Sequence, residues 1–377
     1  LAASGITTVE QLAAATEAPE GMAAVAFERL HAQARLQSRQ DASVDAAHPD
    51  GVVTAELADP HGIAQVPEPN PGDVFFDFEG DPLHLTEGWT DLGLEYLFGV
   101  LTHGPGDTTE YWPLWAHDRR AERRALEEFL DWLTQRRRQP GFEGLHVYHY
   151  APYEVTALKR LVQRYGTRAD ELDELLRDNV FVDLYSVVRR SIRVSQRSYS
   201  IKKLEPLYMG DELRESEVTG GAESIVWYAE YQAHRERGEA EEAAAKLEAL
   251  RSYNEYDCLS TLRLRDWLLA RPGAERPVAE VTVVEDPDPK PNPARDLAEA
   301  LRAPLVDLPP TERTPAQQAT AMLAAALEYH RREVLPFWWD HFRRLAASAE
   351  DWEHDGEMIV LDPATTTVVT DWHQDGS

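Results

Sequence analysis

Read along the chain, the spacing of apolar positions changes several times. Val74-Phe75-Phe76-Asp77-Phe78 is a short aromatic and β-branched run closed by Gly80 and Pro82, which predicts a strand. Tyr96 to Leu101 and Glu110 to Trp112 predict two more, and three successive strands fit a meander. From Arg119 to Arg138 the period becomes helical, with Leu126, Phe129, Leu130 and Leu133 on one face. His146 to Tyr150 predicts a fourth strand. Helices over 153–165 and 169–176 follow, then a short strand at Val180 to Val182, and the remainder to Leu269 is mostly helical. Three strands, helix, strand, helix, strand, helices is the layout of an α/β mixed sheet flanked by helices.

The two ends read differently. Thr7-Thr8-Val9-Glu10 fits a capping box with Glu10 reaching back to the cap, Gly21 ends this helix, and Met22 to Gln40 predicts a second. Residues 1–40 are a small helical hairpin or, given Gly5-Ile6-Thr7 before the first helix, a helix-hairpin-helix-like segment able to hold a phosphate on backbone N–H groups. Residues 41–71 carry five prolines and little periodicity, and read as a linker. The mixed-sheet domain spans 72–271. Six prolines between 272 and 293 predict a stiff, extended linker. Residues 294–377 are mainly helical, with a helix from Pro315 to Ala347 that Pro336 should kink or break, and a small β-like end at 358–361 and 366–370.

Composition narrows the function. With 38 basic and 67 acidic side chains the formal charge is −29, which argues against binding nucleic acid through the overall field. The single cysteine, Cys258, excludes an intrachain disulfide and a cysteine-rich zinc or iron–sulfur site. No apolar run reaches the roughly 18 residues that a membrane helix needs. The start LAASGITTVE has neither a basic segment nor an apolar core, and no initiator Met. The expectation is a cytoplasmic piece of a longer polypeptide, with no membrane partner.

Several chemistries are absent. There is no Gly-Lys pair for a phosphate-binding loop, no H-E-x-x-H and no G-x-S-x-G. His146 and His149, three apart on a strand, point to opposite faces and make no metal pair. The carboxylates say more. Asp77 and Glu79, two apart on a strand, leave the same face beside Gly80, as a divalent cation would need. Glu154 starts a helix directly after a strand; it either complements the helix dipole or contributes to the same site. Tyr253 and Asp257, four apart on a helix, share a face. Two ions about 4 Å apart need carboxylates from several elements, and Asp77, Glu79, Glu154 and Asp257 meet that need, with Tyr253 able to orient a water. Asp183, ending a strand, is either a supporting ligand or the cap of the next helix.

The order Asp-x-Glu, H-Y-x-x-Y-E, Tyr-x-x-x-Asp resembles the three motifs of DEDD exonucleases of the tyrosine subclass, on a ribonuclease H-like fold. The chain is most similar to the YprB-type domain of RecB-like nucleases. FFDFEGDP (75–82), EYLFGV (95–100), HVYHYAPYEVTALKRL (146–161), FVDLYSVVRRSI (181–192), SYSIKKLEPLY (198–208) and YNEYDCLSTLRLRDWL (253–268) carry the resemblance over about half the chain. It implies a 3′→5′ exonuclease acting on DNA or RNA with two Mg²⁺ or Mn²⁺ ions. It also implies covalently linked RecB-like nuclease and helicase domains, residues 1–40 and EYHRREVLPFWWDHFRRL (328–345) being their approaches. One departure stands out: the general class carries Asp at the second motif, and this chain has Glu154. The alternative is therefore a non-catalytic module that binds nucleic acid or couples neighbouring domains.

The charge is also uneven. Residues 184–204 hold Arg189, Arg190, Arg193, Arg197, Lys202 and Lys203 and no acid, a local +6. With Tyr199 available to stack on a base, the stretch is either a phosphate-tracking surface or a solvated cationic face. Arg136 to Arg138 end a helix and complement its dipole.

Overall fold

The computed structural model describes residues 1–86, 92–104, 106–213, 222–271, 292–305, 308, 312–346, 361 and 367. It forms two compact units, Leu1–Pro291 with Val306–Ala316, and Asn292–Leu305 with Gln317–Ser377.

The first unit opens with a hairpin of α1 (Val9–Ala14) and α2 (Ala24–Ala42). The capping box sits one residue later than the sequence pattern suggests. Thr8 Oγ1 accepts from the Gln11 N–H at 3.2 Å, and Gln11 Oε1 accepts from the Thr8 N–H at 3.2 Å. The amide reaches back because Gln11, not Glu10, holds the third helical position. The stretch read as a linker carries β1 (Ala55–Leu57) and the single turn α3 (Pro60–Ile63), and buries Ile63 and Val66. Its apolar residues are too few to show a period, so only their partners reveal them.

Next come β2 (Val74–Asp81), β3 (Leu94–Gly104), β4 (Thr108–Trp115), α4 (Arg119–Arg137), β5 (Val147–His149), α5 (Tyr153–Tyr165), α6 (Ala169–Arg177) and β6 (Phe181–Asp183). They lead to α7 (Leu184–Ser191), β7 (Ile192–Val194), α8 (Ile201–Leu204), α9 (Ala222–Arg237) and the 30-residue α10 (Ala240–Leu269). The main sheet has the order β4-β3-β2-β5-β6. The meander β2-β3-β4 is antiparallel, and β5 and β6 add parallel to β2 through helical crossovers. A two-stranded ribbon pairs β1 with β7. This is the mixed sheet flanked by helices that the hydrophobic pattern predicts.

Alternation along β2 sends its side chains to two different cores. Phe76 points to α4 and stacks on Phe129 at 4.3 Å. Phe75 points the other way, stacks on Tyr148 at 5.4 Å, and joins Cys258, Leu262 and Leu268 of α10. Each such buried ring contributes roughly 1.5–3 kcal/mol. A buried ion pair ties α10 to the sheet: Arg265 Nη1 donates to Asp73 Oδ2 at 2.9 Å, its guanidinium 4.8 Å from the Phe75 ring centroid. The face of β2 that carries Phe75, Asp77 and Glu79 is thus the face that α10 crosses.

The second unit holds α11 (Pro293–Arg302), most of α12 (Pro315–Leu327) and α13 (Tyr329–Ala346). The expected break at Pro336 is not there; that proline lies inside α13, and the helix divides at Glu328 instead. Side chains satisfy carbonyls at this break. Arg302 donates to the Ala324 carbonyl at 3.3 Å and Arg332 to the Ala325 carbonyl at 2.7 Å, while Arg302 pairs with Glu328 at 2.7 Å. The proline-rich linker over 272–291 and, apart from 361 and 367, the β-like end lie outside the described residues. No described helix is long and apolar enough to cross a membrane.

Candidate active site

Asp77 and Glu79 leave β2 on the α10 side, where Asp257 meets them. One carboxylate oxygen from each lies within 4.8 Å of the others. They are the one such group of potential metal ligands among the described residues. Two local features let the helix come so close. Gly99 of β3 stands opposite Asp77, and a Cβ there would lie 1.6 Å from Asn254 Oδ1, so the strand gives up a side chain to admit the helix. A bulge follows directly: Leu97 faces Glu79 but Glu95 faces Gly80, leaving Tyr96 unopposed. Such bulges turn the strand and re-aim the side chains beside them.

The cluster is electrostatically strained. Burial, reinforced by Glu79, Asp257 and Glu154, holds the Asp77 carboxyl well above its ordinary range. Burial and Asp257 push Glu79 up to about 8, against hydrogen bonds from Ser224 and Asn254 and the charge of Lys202. Both shifts express the cost of gathering like charges in a poorly hydrated place. A divalent cation would remove that cost, and hard carboxylate oxygens are the donors that Mg²⁺ and Mn²⁺ take.

Glu154 lies beside this group rather than within it. It is buried in the first turn of α5, with Oε2 3.3 Å from His149 Nδ1. That ring nitrogen lies 2.8 Å from the Ala151 carbonyl, its hydrogen-bond partner. Glu154 Oε2 therefore remains a buried oxygen without a hydrogen-bond donor. Burial raises the Glu154 carboxyl, and His149 opposes that shift. At His149 burial works against the charged ring, but Glu154 and Asp183 outweigh it and hold the imidazole above its usual value. Asp183 takes up its capping role: Oδ1 accepts from the Tyr185 N–H at 2.9 Å and from the Ala151 N–H at 2.8 Å. The second bond matters for the site, since Ala151 sits at φ 77°, an unfavourable conformation for an L-residue, in the turn that leads into α5.

Buried acids hold α5 in place. Glu95 accepts from Tyr153 at 3.0 Å and pairs with Arg160, and Glu122 pairs with Arg164 at 3.1 Å and accepts from Tyr165. All four partners are on α5, on either side of Glu154 in sequence.

The basic stretch divides. Lys202 turns inward: its Nζ donates to the Tyr253 hydroxyl at 2.6 Å, lies 4.8 Å from that ring's centroid, and offsets the charge of Asp77 and Glu79. Tyr199 is a half-buried anchor whose hydroxyl donates to the Ile192 carbonyl at 3.1 Å, while the Tyr150 hydroxyl donates to the Tyr199 carbonyl. Arg190 binds Gln65 and Arg193 stands opposite Glu56 in the ribbon. Arg189, Arg197 and Lys203 are exposed. Away from the site, Arg136 donates to the Gly72 carbonyl and Arg137 pairs with Asp178, so both are structural.

Three residues at the site carry no signal in the sequence. Asn254 donates to Asp77, Ser224 in the first turn of α9 reaches Glu79, and Tyr111 of β4 donates to Asn254. Asn254 lies within Tyr-x-x-x-Asp at a position that the motif leaves open, and the other two come from elements with no motif.

Asp77, Glu79 and Asp257 fit a hard divalent cation, and Glu154, beside them, turns a buried Oε2 that accepts no hydrogen bond toward His149. A family model described as RNase_H_2, of the RNase_H superfamily, matches residues 74–269, just over half of the chain. No curated protein and no solved structure matches it.

Proposed function

Because the chain belongs to the RNase_H superfamily, we propose that residues 72–271 are a metal-dependent nuclease domain that hydrolyses phosphodiesters of DNA or RNA, as a 3′→5′ exonuclease. The observation that carries this is the meeting of Asp77, Glu79 and Asp257 within 4.8 Å, brought from a strand and a helix some 180 residues apart in sequence. Gathering acids on this face has a cost, which the raised carboxyls of Asp77 and Glu79 express.

Asp77, Glu79, Glu154 and Asp257 would hold two Mg²⁺ or Mn²⁺ ions. When bound, such ions supply an activated water and charge stabilisation for the leaving oxygen. The chain's own groups do the rest. Tyr253, its hydroxyl held by Lys202, orients the attacking water. Lys202 faces the developing negative charge on the phosphate, and Arg189, Arg197 and Lys203 guide the strand. The finer family reading belongs to the same proposal: a YprB-type domain, joined in the full polypeptide to RecB-like nuclease and helicase domains.

The second reading, a non-catalytic binding or coupling module, draws on one observation: Glu154 stands outside the three-acid group, against His149. Incubation with end-labelled single-stranded DNA and RNA, in Mn²⁺ or EDTA, decides between the two. Metal-dependent stepwise shortening that vanishes in Asp77→Ala supports the nuclease. Retarded but intact substrate, the same in Asp77→Ala, supports the module.

A further inference from the structure

Asn254 is fully buried and has no ionisable chemistry, yet its side chain is held from both sides. Nδ2 donates to Asp77 Oδ2 at 2.7 Å, and Oδ1 accepts from the Tyr111 hydroxyl at 2.8 Å. An amide is directional: turned over, it would set its oxygen against a carboxylate oxygen. The Tyr111 proton on Oδ1 selects the orientation that aims the N–H at Asp77. Space is provided as well as direction, since the missing Cβ of Gly99 leaves room for Oδ1. Strands β3 and β4 and helix α10 thus converge on one amide and, through it, on Asp77, with Glu79 as a further acceptor beside it.

We propose that Asn254, oriented by Tyr111 over the gap at Gly99, is the positioning residue that fixes the Asp77 carboxylate for cation binding. The inference rests on the metal-dependent reading of the site. A carboxylate pinned by one oxygen has lost its rotational freedom before an ion arrives, so binding does not have to order it. Outer hydrogen bonds of this kind are typically worth 10–100-fold in metal affinity or activity.

The test is Mn²⁺ titration by calorimetry on the wild type, Asn254→Ala, Tyr111→Phe and the double variant, each checked for folding by circular dichroism. Asn254→Ala should bind Mn²⁺ about tenfold more weakly. Tyr111→Phe should weaken binding by a smaller factor and add nothing in the Asn254→Ala background, because the hydroxyl acts through the amide. Unchanged affinity in folded Asn254→Ala overturns the proposal. So does a Tyr111→Phe effect of equal size in both backgrounds. Tyr111→Phe removes one oxygen and keeps the test alive if Asn254→Ala does not fold. Crystal structures of metal-free wild type and Tyr111→Phe test the same idea without an ion. A turned or split Asp77 carboxylate in the variant supports it, and an unchanged one overturns it. A wild type that binds no Mn²⁺ would refute the metal reading and leave this structural arm to decide on Asn254.

Discussion

Glu79 allows a prediction in which function and stability oppose each other. Its carboxyl is pushed from 4.5 up to about 8 in the folded, metal-free protein, chiefly by burial and by Asp257. Between those values the folded state holds a proton that the unfolded chain has released. The stability from that proton is present in acid and lost as pH rises through 8. Glu79→Gln keeps the shape and cannot ionise, so its advantage over wild type should be absent near pH 4 and complete above pH 8. At ~1.36 kcal/mol per pH unit the ceiling is roughly 5 kcal/mol. Asp77 competes for the same proton and Lys202 offsets part of the charge, so about 2 kcal/mol is a realistic gain. For a unit of this size that raises the melting temperature by about 4–6 °C. The assay is thermal denaturation from pH 5 to 8.5, in EDTA and in Mn²⁺. Wild type in Mn²⁺ at a hundred times its Kd should gain about 2.7 kcal/mol, and Glu79→Gln should gain far less. If Glu79→Gln melts below wild type in EDTA at pH 8.5, or if metal-free wild type is equally stable at pH 5 and 8, the reasoning fails.

Other outcomes follow from the same contacts. Gly99→Ala sets a Cβ 1.6 Å from Asn254 Oδ1, so it should cost about 1–3 kcal/mol in urea denaturation and weaken Mn²⁺ binding together; loss of stability alone would mean that Asn254 is spectator packing. Arg265→Ala strands the buried Asp73 carboxylate and should destabilise by about 3 kcal/mol, read from the urea midpoint. Glu154→Gln removes the partner that raises His149, so the imidazole titration followed by NMR should move to lower pH, and nuclease activity should fall at least tenfold. If the imidazole titration stays where it was, the buried contact at 3.3 Å does not govern it.

The fold was legible where one period holds over enough residues. The run at Val74–Phe78 and the four apolar positions of α4 announce their elements because each is buried along a whole side. Short pieces defeated that logic. β1 has three residues and, among the described residues, pairs with β7 alone, so no local pattern marks it. The break expected at Pro336 falls elsewhere for a different reason. The helix divides where carbonyls find partners outside the backbone ladder, those of Ala324 and Ala325 accepting from Arg302 and Arg332. The capping box slipped by one residue because Glu10 and Gln11 can both reach back, and only backbone geometry chooses between them.

At the site, the acids were legible and their supports were not, and the reason is chemical. Asp77, Glu79 and Asp257 are recognisable because few residue types can ligate a hard cation, so type and spacing pick them out, and the fold brings them together. Asn254, Ser224 and Tyr111 are selected by where other residues leave a donor missing, which is a property of three dimensions. Lys202 shows how far the two can diverge. By sequence it is one charge in a run of six. In the fold it leaves that run, donates to Tyr253 and faces the carboxylates. The net charge of −29 is then a poor guide to partners, because binding is decided by which charges face one another across the site. Here that means one ammonium facing a cluster of buried or half-buried acids, and on the proposed reading divalent cations complete that balance before a phosphodiester meets it.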